Sequence, residues 1–77
     1  MQKYEYMTKE ENQIIKYLPL VENIVDKMVI NTRQGMERDD YINLGIIGLM
    51  EALEKYNPSL NTSFEHYAKW RIKGAIY

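Results

Sequence analysis

Seventy-seven residues with no cysteine and a single histidine, His66, exclude a disulfide framework, a thiolate metal site and a histidine-based triad, and they make one domain at most. A chain this short buries only about 60% of the surface its unfolded form exposes, so it depends on efficient helix packing or on a partner. The net charge of -1 is uneven: residues 1–58 carry seven Lys/Arg against ten Asp/Glu, while residues 59–77 carry Lys69, Arg71 and Lys73 against Glu65.

Residues 1–7 read as a frayed tail without the apolar stretch of a signal peptide. No apolar run approaches the roughly 20 residues of a membrane span. Both features suit a cytoplasmic protein. Thr8-Lys9-Glu10-Glu11 is a capping-box start, which predicts a first helix over 8–17 with Ile14, Ile15 and Leu18 on one face. Pro19 interrupts the hydrogen-bond ladder there and opens a second helix over 19–30, carrying Leu20, Val21, Ile24, Val25, Met28 and Val29 at helical spacing. Residues 31–38 form a polar connection.

Asp39 is a good N-cap for a third helix over 40–56, stopped by Asn57 and Pro58. Ile42, Ile46, Leu49, Leu53 and Tyr56 step by four, three, four and three, one continuous core-facing stripe. Leu44, Ile47 and Met50 add apolar surface on another side, which a small helical domain cannot easily bury. Bordered by Asp39, Asp40 and Asn43, that surplus looks like a protein-binding face. Gly45 and Gly48 each cost about 1 kcal/mol against Ala inside a helix. They either seat a neighbouring helix of the same domain or let a partner's backbone approach.

Ser63 is a plausible cap for a fourth helix over 63–77 that is still running at Tyr77, and the ending reads as a cut. The whole is expected to be one all-α domain over 1–77, a bundle of about four helices truncated at its C-terminus, with Ile14, Val25, Ile42, Leu49, Leu53 and Ile72 in the core. In the fourth helix Phe64, Tyr67 and Trp70 step by three among Lys69, Arg71 and Lys73. Rings of this kind can stack on unpaired bases while the cations meet phosphates; aromatic residues at helical spacing can equally be core. Spacing alone leaves both open.

No catalytic residue, cofactor or metal site is indicated. The adjacent carboxylates Asp39 and Asp40 do not face each other on a helix, and no phosphate-binding glycine loop or metal-ligand spacing is present. A rival to a protein-binding module is a self-contained helix-turn-helix regulator. It would need a basic recognition helix with base-reading side chains at its start, and residues 8–30 are acidic in balance.

The run from Asp39 to Pro58, DDYINLGIIGLMEALEKYNP, followed by that from Phe64 to Ile76, FEHYAKWRIKGAI, resembles conserved region 2 of the sigma-70 family of transcription initiation factors. With YLPLV at 17–21 the pattern covers most of the chain and looks most like the flagellar and sporulation-type alternative factors. The resemblance implies contacts to the beta-prime clamp coiled coil of core RNA polymerase from Leu18, Val21, Asp39, Asp40, Asn43, Leu44, Ile46 and Met50. It also implies contact with the melted non-template strand of the promoter -10 region by Tyr67 and Trp70, with Phe64, Lys69, Arg71 and Lys73 nearby. An anti-sigma factor is a further implied partner. Primary sigma factors typically carry a second Trp where this chain has Arg71, which implies weaker wedging of the duplex.

Overall fold

The computed structural model describes residues 6–28 and 35–77. Among them the chain forms α1 (Lys9–Lys27), α2 (Arg38–Lys55) and α3 (Phe64–Ile76), with a short 3-10 helix (Pro58–Leu60) between α2 and α3 and no strand. The fold is all-α with three α-helices where the sequence predicts four.

The difference lies at Pro19. The first two predicted helices are one, because α1 runs straight through the proline. Pro19 has no N–H to give the carbonyl of Ile15, and such an interior proline costs about 3 kcal/mol. The residue is exposed, so water can reach the freed carbonyl. Val21, Ile24 and Val25 beyond it are all buried, and at about 1.5–3 kcal/mol each their burial outweighs the proline. At the other end the predicted capping box is present: the Thr8 hydroxyl accepts the Glu11 N–H at 3.1 Å, and the Glu11 carboxylate accepts the Thr8 N–H at 2.8 Å. The helix ends at Lys27 with Met28 as its extended C-cap, short of the predicted residue 30; residues 1–5, residues 29 and 30, and half of the polar connection (31–34) lie outside the described residues.

The second correction is at the start of α2. Its N-cap is Glu37 rather than Asp39. The Asp40 carboxylate accepts the Glu37 N–H at 2.8 Å, which places Asp39 in the first turn, where its charge favours the helix N-terminus. Arg38 reaches across to α1 and donates from Nε and Nη2 to the two Asp26 carboxylate oxygens at 2.8 and 3.0 Å. At the far end the Tyr56 hydroxyl donates to the Thr62 carbonyl at 2.7 Å, tying down the turn into α3. Ser63 caps α3 by accepting the His66 N–H at 3.1 Å.

The buried core consists of Val21, Ile24, Val25, Tyr41, Leu49, Ala52, Ala68, Ile72 and Ile76. Val25, Leu49 and Ile72 are where the sequence puts them. Ile14, Ile42 and Leu53 are only half-buried and pack against this cluster from its edge. The buried face of α2 is centred on small residues: Gly45, Gly48 and Ala52 are all buried. A Cβ at Gly48 would stand 2.6 Å from the Arg71 carbonyl oxygen and 2.8 Å from the Ile72 Cα. One at Gly45 would stand 2.7 Å from Val21 Cγ1. Both glycines therefore seat helices of the same domain.

Candidate functional site

With Gly45, Gly48 and Ala52 turned inward, the opposite side of α2 is left to Asp39, Asn43, Ile46 and Met50, which step by four, three and four. Asp39, Asn43 and Met50 are exposed and Ile46 is half-buried. Ile47, which the sequence shows only as surplus apolar surface, is 51% exposed beside Met50 at 44%. The result is an apolar centre with an acidic and amide border, the composition of a protein-docking face. Asp40 is exposed but engaged in capping α2, and Leu44 is half-buried and packed against the core. On α1, Leu18 is half-buried. Val21 requires a correction: it is 0% exposed and packed onto Gly45, so its side chain belongs to the core and cannot touch a partner.

The Asp26–Arg38 bridge joins α1 to the first turn of α2. Hydrogen bonding from Arg38 holds the Asp26 carboxyl below its usual range, and the same pairing raises Arg38. Both groups are exposed, which limits the energetic weight of the pair.

The aromatic and basic residues of α3 fall into three settings. Ala68, Ile72 and Ile76 face the core, so His66, Trp70, Lys73 and Tyr77, stepping by four, three and four, form an outward ridge of exposed side chains. Trp70 is 74% exposed, unusual for a ring of that size and suited to stacking on a flat ligand. On one side of the ridge, Lys69 and Lys73 join Lys27 and Tyr77 along a groove of about 770 Å³ between α1 and α3, lined also by Leu20 and Ile24. On the other side, Trp70 and Arg71 border a cleft of about 590 Å³ with Ile47 and Glu51 of α2.

Phe64 and Tyr67 lie inward of this ridge. Phe64 is half-buried among rings, with centroids 4.9 Å from Tyr17 and 5.3 Å from Tyr56, and this packing makes it chiefly structural. Tyr67 is half-buried with its ring 5.7 Å from Tyr56. Sequence reasoning misses Lys27 and gives Tyr77 no role. Only the tertiary fold brings Lys27 to Lys69 and Lys73, with Tyr77 beside them in the same groove.

Among the described residues there is no group of His, Asp or Glu able to hold a metal, and no helix long and apolar enough to cross a membrane. Comparison with known proteins decides the family. The sigma-70 region 2 family matches residues 14–77. The chain belongs to that family. The RNA polymerase sigma-D factor of Bacillus subtilis is 41% identical over 61 residues, covering 79% of this chain and 24% of that protein. The sigma factor FliA of Pseudomonas aeruginosa is 35% identical over 74 residues, covering 96% of this chain and 30% of that protein. FliA of Escherichia coli is 36% identical over 61 residues, covering 79% and 26%. This region 2 chain thus spans 24 to 30% of the length of these relatives. No solved structure matches it. For a region 2 chain a self-contained helix-turn-helix reading is not favoured, and the flagellar-type likeness agrees with the names of the relatives.

Proposed function

We propose that residues 1–77 are one region 2 domain of a flagellar-type sigma factor, a cytoplasmic, non-enzymatic module that docks on core RNA polymerase and helps to open promoter DNA. The docking surface is the outward face of α2, with Asp39, Asp40, Asn43, Leu44, Ile46 and Met50, extended by Ile47 and by Leu18 on α1. Its partner is the beta-prime clamp coiled coil. The DNA surface is the α3 ridge, where Trp70 stacks on a melted base of the non-template strand and Tyr67 backs it. Lys69 and Lys73 meet the phosphates. An anti-sigma factor competing for the α2 face is a second partner.

The observation that carries this reading is the pairing of two exposed surfaces on helices packed against each other: an apolar face with a polar border on α2 and a large exposed ring among cations on α3. Their exposed members Asn43, Ile47, Met50 and Trp70 lie outside the core, which is consistent with use rather than stability. The test is a titration of the labelled full-length factor against core polymerase. Asn43→Arg and Met50→Arg each insert an unpaired charge into the face and are expected to weaken binding by at least about tenfold, with unchanged thermal melting because both residues are exposed. Parental affinity in both variants would assign the face to something else.

A further inference from the structure

The three cations of α3 are not equivalent. Lys69 and Lys73 are exposed on the α1 side of the ridge. Arg71 turns toward α2 instead. Its Nη2 stands 3.6 Å from Glu51 Oε1, and its guanidinium carbon lies 6.0 Å from the centroid of the Tyr67 ring. Its Nε is buried without a hydrogen-bond partner among the described residues. The backbone of the same residue is fixed, because its carbonyl oxygen packs against Gly48. To follow a phosphate, this side chain would have to abandon Glu51 and Tyr67 together.

We infer that Arg71 is a positioning residue that holds the Tyr67 ring for a melted base, with Glu51 as its anchor on α2, and is not a phosphate contact. The inference rests on the proposed contact between Tyr67 and DNA. A guanidinium suits this role because its edge pairs with a carboxylate while its face lies toward an aromatic ring. The point charge of lysine cannot combine the two. Tyr56 is the other ring beside Tyr67, 5.7 Å away. Tyr67 is thus set by one contact from the end of α2 and one from its own helix, the latter tied back to α2 through Glu51.

The experiment uses the full-length factor in holoenzyme, with a fluorescent base at the first melted promoter position and opening followed against salt concentration. Arg71→Lys and Glu51→Ala are each expected to slow opening by about three- to tenfold, the scale of one cation–π contact, with core-polymerase affinity and the salt slope as in the parent. Arg71→Lys should add no further loss in a Tyr67→Ala background. A phosphate contact gives the opposite pattern: Arg71→Lys opens like the parent, and Arg71→Ala makes the log–log salt slope shallower by about 0.7. That pattern overturns the inference, as do parental rates in both Arg71→Lys and Glu51→Ala when Tyr67→Ala is slow. Glu51 is exposed and repels phosphate, so its variant reports on the Arg71 anchor even where an Arg71 variant unfolds. Parental opening in Tyr67→Ala removes the proposed base contact, and this inference falls with it.

Discussion

Gly48 and Gly74 are both helical, yet their surroundings give them opposite roles. At Gly48 a methyl group would meet the Arg71 carbonyl oxygen at 2.6 Å and the Ile72 Cα at 2.8 Å, atoms of backbone that cannot swing aside. At Gly74 nothing stands within 4 Å. Gly48→Ala is therefore expected to destabilise the domain by about 1–3 kcal/mol as overpacking exceeds the gain in helix propensity. Gly74→Ala should stabilise it by about 0.5–1 kcal/mol through that propensity alone. Urea denaturation of the two variants checks both, and equal effects would mean that α2 and α3 are not in such close contact. The sequence marks Gly45 and Gly48 by their cost, but it cannot say which backbone they admit. For the same reason it puts the core stripe on Ile42, Ile46, Leu49, Leu53 and Tyr56, of which only Leu49 is fully buried. Bulk marks where apolar surface exists, while closest approach occurs where side chains are missing, at Gly45, Gly48 and Ala52. The family pattern offers Val21 to a partner, and only the fold puts its side chain against Gly45.

At the scale of elements, most end signals are legible in the sequence, the Glu37 cap of α2 excepted, and continuity is not. The Thr8 and Ser63 caps and the stop before Pro58 each depend on two or three neighbouring residues, and all are present. The same local logic makes Pro19 a boundary, but tertiary burial of Val21, Ile24 and Val25 decides the matter. The link between α1 and α2 is equally hidden, since Asp26 and Arg38 lie 12 positions apart. Its pH dependence follows from the sign of the shift. Asp26 is depressed in the folded chain by the Arg38 hydrogen bonds, so its contribution is fully present above the unfolded value of about 3.9 and is lost as pH falls through the lower folded value. Asp26→Asn is expected to leave less acid sensitivity below about pH 4 and to be slightly less stable at neutral pH. Thermal melts of parent and variant across that range test this, and parallel curves would show that the bridge contributes nothing.

For the molecule as a whole, the contact of Gly48 with the α3 backbone makes α2 and α3 one body, with the proposed polymerase face on one helix and the base-stacking ridge on the other. In the proposed assembly, docking through Asn43, Ile47 and Met50 would orient Trp70 without any motion inside the domain. Division of labour follows from burial. The residues that join the helices are Leu49, Ala52, Ala68 and Ile72, all fully buried, so the outward rings can be removed without loosening the joint. Trp70→Ala in the full-length factor is expected to keep the parental melting temperature and the parental affinity for core polymerase. Promoter opening should be slower by about 1–3 kcal/mol of lost base stacking. Lys73→Ala, one turn further along the ridge, should instead make the salt dependence shallower by about 0.7 on log–log axes. Stopped-flow fluorescence from a base analogue at the first melted position, read beside a binding titration and a melt, separates the three quantities. A Trp70→Ala factor that loses stability or core affinity in step with opening would show that this ring supports the fold or the docking face rather than the open promoter.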